Sequence, residues 1–554
     1  MKDKRISHRC LIGTFALGLL WLVTIGCTTP IPPSTAESDH PPGSYRVVGI
    51  GPGDGDLLTV RAMEAISNAD VVFCNSRIQA KLNPYVDFTD KQVLDGYGVL
   101  FRYYGKDCSE AKTPEGALHR MSCEQYHQKQ TEFAGLVREA VSAGRHVVLL
   151  SSGDPTIYGP DIWSLRELGD LNPSIVPGLS AFNAANAALK VGLGEVILTA
   201  PFKKENSRDA LEQLAGHQRA TTVIFMPRDM KALFARLSSA YAADTPVAIV
   251  ADAGVVGEEK TTLGTVGGFN ADLSRVDGRR SIVYVGRRLD HAQCRAKPTD
   301  TGGLGKFYLV GVGPGDPDLI TLRGLKVIES ADLIFAHRRL EDKFRRYLAG
   351  KEVITGYHRL FPFYGKSCAD VSPADRARER MSCEEYHQKQ AEFAALVRNA
   401  VAGGKTVAML DSGDPLVFGP CSWSLTELRD LRTEVVPGLS CFNAANAALK
   451  AGVTEGKTSH SVILASGWSV DEMAPHQSTM VLFTMRTEFQ KFIDALSKHY
   501  STDTPVAIVL SAGYADREQV MHATLETVLD RVGKDRLPFE YLLYVGDFLD
   551  RSVN

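Results

Sequence analysis

The sequence predicts an α/β protein built as two tandem modules, each of two α/β lobes. Three observations carry that prediction. A long block of the first half returns in the second: VVGIGPGDGDLLTVRAMEAISNADVVF from Val47 recurs as LVGVGPGDPDLITLRGLKVIESADLIF from Leu309, at an offset of 262 residues. Within each copy, short β-branched runs alternate with helical patterns, which reads as βαβ units and a largely parallel sheet. The 554 residues, at roughly 150 per domain, leave room for three or four compact lobes.

The chain opens with Lys2, Lys4, Arg5 and Arg9, followed by an almost uncharged apolar run from Cys10 to Gly26, the layout of an export signal. The run ends Val23-Thr24-Ile25-Gly26-Cys27, and a Thr/Pro/Ser-rich stretch continues to Gly43. This ending resembles a bacterial lipobox, with residues 1–26 removed and Cys27 acylated, although Thr24 stands where such boxes prefer Leu. The alternative is an uncleaved anchor helix, since the run approaches the roughly 20 residues that span a bilayer. Both readings place the remainder outside the cytoplasm, on the periplasmic side of a bacterial membrane, on a tether of residues 27–43.

Module one is expected over residues 44–289, with lobes at about 44–173 and 174–289. Its first lobe reads as a strand Tyr45 to Ile50, a helix Asp56 to Ser67, a strand Ala69 to Phe73, a helix Tyr126 to Ala143 and a strand His146 to Leu150. A helix Ser180 to Leu189 and strands Thr221 to Met226, Val247 to Ala251 and Ile282 to Val285 make the second. A linker follows at 290–305, then module two at 306–550, with lobes at about 306–433 and 434–550. The repeat is too long for a solenoid unit, so each copy is a complete module. MSCEQYHQKQTEFAGLVR from Met121 returns from Met381 with 15 of 18 positions identical.

Composition excludes several function classes. Hydrophobic residues make up 44% and charged residues 23%, and the net charge of -3 lacks the basic excess of a nucleic-acid binder. Ten cysteines are too few for a disulfide-stapled mini-scaffold, and one N-terminal apolar run excludes a polytopic membrane protein.

Three glycine-containing loops recur in each module. Gly49-Ile50-Gly51-Pro52-Gly53-Asp54 follows the first strand, where glycine lets the backbone turn and approach a ligand. It is neither a dinucleotide fingerprint, because Pro52 interrupts it, nor a Walker loop. Read alone, it is equally a tight turn with an aspartate capping the next helix. Ser152-Gly153-Asp154-Pro155 and Ser412-Gly413-Asp414-Pro415 follow another apolar strand, and Pro177-Gly178-Leu179-Ser180 and Pro437-Gly438-Leu439-Ser440 open Ala/Asn-rich helices with hydroxyls and free N–H groups.

Taken in order, GxGPGDxDLLTxRA, GDPxxxG, VPGxS and a TPVAIV strand resemble the tetrapyrrole (corrin/porphyrin) methylase family, over both modules. The resemblance implies paired α/β lobes around a cleft, with S-adenosylmethionine folded between them and a tetrapyrrole in the adjoining trough. It implies cofactor contacts at Pro52, Gly153, Asp154, Ile157, Ser180, Ala181, Met226 and Ala248, and in module two at Pro314, Gly413, Asp414, Val417, Ser440, Cys441, Met485 and Ala507. A sulfonium methyl is already activated, so the site must mainly align it and exclude water. Asp54 and Asp316 are the candidates for steering a pyrrolic proton, with helix capping as the plainer reading. Departures from the family pattern are Gly55 where module two has Pro317, and Asn75 and His337 where the family often shows Asp.

A further departure is an insertion in each module, at about 97–130 and 357–390. Each holds a Cys pair and a His: Cys108, Cys123 and His127; Cys368, Cys383 and His387. In an exported protein a disulfide is the simpler reading and no metal is assigned, although the same residues offer three zinc ligands. His127 and His387 are exposed or capping residues, or axial ligands to a metallated macrocycle. Arg102, Lys106, Arg359 and Lys366 are candidates to pair with macrocycle carboxylates, against the alternative of a solvated basic loop.

Two functions follow. One is a tandem S-adenosylmethionine-dependent tetrapyrrole methyltransferase whose modules are available to pair within the chain. The other is an exported, lipid-anchored tetrapyrrole carrier that keeps the methylase cleft, because S-adenosylmethionine is made in the cytoplasm.

Overall fold

The computed structural model describes residues 43–109, 121–200, 208–217, 219–270, 273, 278, 280–293, 305–483, 489–532, 537–538 and 540–551. The export segment with Cys27, and Met485, lie outside the described residues. Module one starts with β1 (Ser44–Gly49), β2 (Val71–Phe73), β3 (Gln92–Leu94), β4 (His146–Ser151) and β5 (Ser174–Val176), all parallel, in the order β3-β2-β4-β1-β5. Both faces are covered, so the central strands are largely apolar, with Arg46 of β1 exposed. Tyr45, Val47, Val147 and Leu149 enter the core on one face, and Val48, Ile50, Val148 and Leu150 the core on the other.

β1 and β4 are neighbours, in register from Ser44 opposite His146 to Gly49 opposite Ser151. The chain leaves β1 over one face, burying Leu58, Ala62 and Ile66, and leaves β4 over the other, burying Ile162, Trp163 and Leu165. Their loops therefore diverge at the carboxyl edge, the place where open α/β sheets take ligands. The expected strands and helices fall within a few residues of the observed ones. The lobe boundary moves, because β5 pairs with β1 (Arg46 opposite Ser174) and so belongs to the first lobe.

The second half of module one supplies β6 (Val196–Thr199), β7 (Thr221–Phe225), β8 (Pro246–Ala251), β9 (Lys260–Thr265) and β10 (Ser281–Val285). Module two repeats the first lobe with β11 (Lys306–Gly311), β12 (Leu333–Phe335), β13 (Glu352–Ile354), β14 (Thr406–Asp411) and β15 (Thr433–Val436), in the order β13-β12-β14-β11-β15. Its second lobe carries β16 (Val462–Ser466), β17 (Thr479–Phe483), β18 (Pro505–Leu510), β19 (Gln519–Thr524) and β20 (Tyr541–Val545).

Each module has the two α/β lobes expected, but the second lobes do not stay separate. The second lobes merge into one ten-stranded sheet, β19-β18-β20-β17-β16-β6-β7-β10-β8-β9, through the antiparallel pair β6–β16. Both edge strands are uncharged and nearly all their residues are buried, so each would leave an apolar strand edge open if it stood alone. Pairing Val462 with Leu198 and Leu464 with Val196 closes both edges at once. These sheets are mixed rather than parallel, since β10 runs antiparallel to β7 and β8.

The first lobes also meet. Val60 N–H donates to the Ile320 carbonyl at 3.0 Å and Leu322 N–H to the Leu58 carbonyl at 2.9 Å. Arg61 clamps Asp318 with two bonds of 2.8 Å and reaches Asp316 at 3.1 Å, while Arg323 holds Asp56 at 2.6 and 3.0 Å and Asp54 at 3.1 Å. The exchange is reciprocal, so the duplicated chain forms its own two-fold pair.

Candidate active site

In each module the three glycine loops meet at the carboxyl edge. A Cβ on Gly49 would stand 2.6 Å from Gly178 N and 2.9 Å from Gly153 O, so at this point the first, second and third loops pack backbone against backbone. Gly51 and Gly153 join as an antiparallel bridge, as do Gly313 and Gly413. Gly153 presents a different face. At φ +77° its missing Cβ would meet nothing within 4 Å except Leu179 O at 3.8 Å, and Gly413, at φ +78°, opens in the same way toward Leu439 O at 3.8 Å. Each opening lies beside a helix N-terminus, Ala181–Leu189 or Cys441–Leu449.

The aspartates of the second loops are fully committed. Asp154 Oδ1 accepts from Thr156 N–H and its hydroxyl, and Asp154 Oδ2 accepts from Asn443 Nδ2 of the other module at 2.7 Å. Asp414 Oδ2 accepts from Asn183 Nδ2 at 2.7 Å in return. Burial pushes the two carboxyls up, to about 6 for Asp154 and about 7 for Asp414. Their side chains shape the loops and tie each site to the opposite module.

Ser180 and Ser440 form capping boxes with Asn183 and Asn443, so their hydroxyls are turned to the helix rather than offered to a ligand. Pro52 and Pro314 are buried in the first loops, and Ile157 and Val417 in the apolar core beside them. Ala181 and Cys441 are half-buried at the first helical position, where burial pushes the Cys441 thiol up to about 12. Met226 follows β7 directly at φ +50°, a strained setting for methionine. Ala248 and Ala507 are completely buried inside β8 and β18, so they pack the core instead of lining an opening.

Asp54 and Asp316 do something the sequence did not suggest. Neither caps its following helical turn. Asp54 Oδ2 accepts from Val256 N–H in the second lobe at 2.8 Å and Arg323 of module two holds it, while Asp54 N–H donates to Gly254 O at 3.1 Å. Asp316 repeats this with Ala515 N–H, Arg61 and Gly513. They latch lobe to lobe and module to module, and a carboxylate so held is poorly placed to shuttle a proton. The sequence reading also missed Lys81 and Lys343. Burial brings both down to about 8, and Lys81 Nζ donates to the Gly51 carbonyl at 3.1 Å. Their recurrence at the same offset of 262 residues was the available signal.

The insertions are pinned by disulfides, Cys108–Cys123 and Cys368–Cys383. The bonded sulfurs are not thiolate ligands, so the zinc alternative does not describe this state. His127 places Nδ1 3.6 Å from Cys108 Sγ and Nε2 2.9 Å from the Tyr103 carbonyl; His387 places Nδ1 3.6 Å from Cys368 Sγ and Nε2 3.1 Å from the Phe363 carbonyl. Each imidazole donates from Nε2 to a carbonyl of its own insertion, which turns the ring inward against the disulfide. Gln130 and Gln390 fasten the preceding loops through the Leu100 and Leu360 carbonyls, each at 2.6 Å. On those loops Arg102 is half-buried, and Lys106, Arg359 and Lys366 are exposed.

A family model for the tetrapyrrole (corrin/porphyrin) methylases matches twice, at residues 46–269 and 306–529, together more than half of the chain. The chain belongs to the tetrapyrrole methylases. Among its relatives, a cobalt-precorrin-4 C(11)-methyltransferase of Methanocaldococcus jannaschii is 30% identical over 44% of this chain and 88% of its own length. A uroporphyrinogen-III C-methyltransferase of Priestia megaterium is 30% identical over 45% of this chain and all (100%) of its own. A solved cobalt-precorrin-4 methyltransferase matches with 25% identity and a TM-score of 0.35, over 46% of this chain and 100% of that one. The two curated relatives each correspond to a single module, and this tetrapyrrole methylase carries two. The open backbone faces at Gly153 and Gly413 are cradles that a Cβ would fill, which fits a cofactor lying against the loop.

Proposed function

We propose that the protein is an S-adenosylmethionine-dependent C-methyltransferase acting on a tetrapyrrole of the uroporphyrinogen or precorrin class, with one site in each module. The observation that carries this reading is the doubled cradle at Gly153 and Gly413. The cofactor, when bound, supplies a methyl group already activated on sulfonium. The chain's own task is alignment and exclusion of water. Pro52, Gly153, Ile157, Ala181 and Met226 would hold the cofactor in module one, and Pro314, Gly413, Val417, Cys441 and Met485 in module two. Asp154 and Asp414 keep the loops in shape from behind. Arg102, Lys106, Arg359 and Lys366 stand on loops beside the carboxyl edge, where guanidinium and ammonium groups would pair with macrocycle carboxylates.

The test is incubation of purified protein with uroporphyrinogen III and isotopically labelled S-adenosylmethionine, read by mass spectrometry. Transfer of label to the macrocycle supports the enzyme. The disulfides favour a second reading, an exported tetrapyrrole carrier, because such bonds persist in oxidising compartments. Tight porphyrin binding with no S-adenosylhomocysteine binding would select the carrier. In either case the basic N-terminus, the apolar run and Cys27 support a lipoprotein held at the membrane, with intact mass of wild type and Cys27→Ser as its measure.

A further inference from the structure

The two modules differ at one corner of the first lobe. Module one carries Asn75, Gly98, Ser151 and Asp161; module two has His337, His358, Asp411 and Cys421 at the matching positions. Every exchange brings in or relocates a metal-donor side chain. The module-two residues come from four segments and converge at the carboxyl edge of neighbouring strands β12 and β14. His337 stands beyond β12 as the N-cap of the helix Arg338–Lys343, Asp411 ends β14, His358 follows β13, and Cys421 lies beyond the second glycine loop.

Their atoms are close together. His358 Nε2 is 3.2 Å from Asp411 Oδ1, Cys421 N–H donates to Asp411 Oδ2 at 3.1 Å, and Cys421 Sγ is 3.2 Å from the His358 carbonyl oxygen. One ligand atom from each of His358, Asp411 and Cys421 lies within 4.8 Å of the others. Asp411 and Cys421 are completely buried, and the His358 side chain is 13% exposed. His358 Nδ1 is buried without a hydrogen-bond partner. A buried carboxylate requires a compensating positive charge. Among the described residues the ion partner of Asp411 is His358, whose ring is positive only when protonated, so a cation at this corner would answer the need directly.

We propose that His358, Asp411 and Cys421 form a mononuclear site, in module two alone, for a divalent cation of borderline softness such as Zn²⁺ or Co²⁺. One nitrogen, one oxygen and one sulfur donor make a ligand set that suits these ions. His337 supplies the fourth donor from the exposed rim, its ring centre 5.4 Å from that of His358. Its Nδ1 accepts from Arg339 N–H in the metal-free protein, which puts the ring proton on Nε2, so coordination through Nε2 gives up that bond and moves the proton to Nδ1. Binding releases the Cys421 thiol proton to solvent, and thiolate plus carboxylate neutralise the dication. Arg339 and Arg359, the cations facing His337, then border a site of no net charge. Module one, with no imidazole or thiol at these positions, offers no counterpart.

The test uses untagged full-length protein, stripped with a chelator and kept free of reductant so that both disulfides stay closed. It is titrated with Zn²⁺ against a chromophoric competitor, and separately with Co²⁺ under absorption spectroscopy. One ion per chain and a sulfur-to-cobalt charge-transfer band are expected. His358→Ala should weaken binding on the order of a hundredfold, and Cys421→Ser should remove the charge-transfer band even where Co²⁺ still binds. Asn75→Ala in module one should change neither. Circular dichroism confirms that each variant is folded, and the wild-type titration stands independently of them. Absence of stoichiometric binding by the wild type, or a thiolate band unaltered in folded His358→Ala and Cys421→Ser, would overturn the proposal.

Discussion

Replacing Gly153 with alanine separates the cradle from the scaffold around it. The added Cβ has room in the folded protein, its nearest neighbour being Leu179 O at 3.8 Å. The backbone there has φ +77°, so alanine pays a left-handed penalty of about 1–2 kcal/mol in stability. That leaves a protein of this size folded. A ligand lying on the Gly153 backbone, by contrast, meets a methyl group where it needs contact. Overpacking of this kind costs about 1–3 kcal/mol, or roughly a 5- to 150-fold rise in Kd. Gly159→Ala is the contrast, because its Cβ would sit 1.9 Å from the Pro155 carbonyl oxygen and must disrupt the loop itself. Calorimetry with S-adenosylhomocysteine on wild type, Gly153→Ala, Gly413→Ala and the double variant reads site number and affinity, and a thermal melt reads stability. Two wild-type sites should become one unaltered and one weakened site in each single variant. Two sites of wild-type affinity in Gly153→Ala would refute the assignment of that face to a cofactor.

Other consequences follow from the same contacts. Cys108→Ser and Cys368→Ser should each lower stability by about 3 kcal/mol in the chain-entropy account, given a sequence separation of 15, as measured by denaturant unfolding. Arg323→Ala should weaken the pairing of the first lobes by about 1 kcal/mol, and a double-mutant cycle with Asp56→Ala should show coupling because Arg323 Nε and Nη2 both donate to Asp56 Oδ1 and both side chains are largely buried. Asp154 and Asp414 hold their protons at higher pH when folded than when unfolded, up to about 6 and about 7. The folded state therefore binds more protons from about pH 4 upward, and their contribution to stability is lost as pH rises through 6–7. Denaturant midpoints from pH 4 to pH 8 should fall less steeply in Asp154→Asn than in wild type.

Much of this protein is written locally. The duplication, the alternation of strand and helix, and the glycine loops are legible because apolar period and backbone turns are properties of short segments. Strands such as Tyr45 to Ile50 and His146 to Leu150 announce themselves through short, nearly continuous apolar runs. The three-residue strands β3 and β5 are too short to show a period, so the lobe boundary needed the sheet. Cys108 and Cys123 are near enough in sequence to suggest their bond, whereas the partners of His127 depend on how the insertion folds back. Only the tertiary structure decided that the second lobes would share a sheet. An uncharged strand such as Val196–Thr199 shows that an edge must be covered, but nothing in it names Val462–Ser466 as the cover. The same holds for Asp154 with Asn443, Asp54 with Arg323, and His358 with Asp411 and Cys421. Each pair is separated by tens to hundreds of residues and joined by buried hydrogen bonds or charges, whose partners are chosen by packing after the chain has found its topology. Sequence sets which groups must be satisfied on burial; the fold sets which group satisfies which.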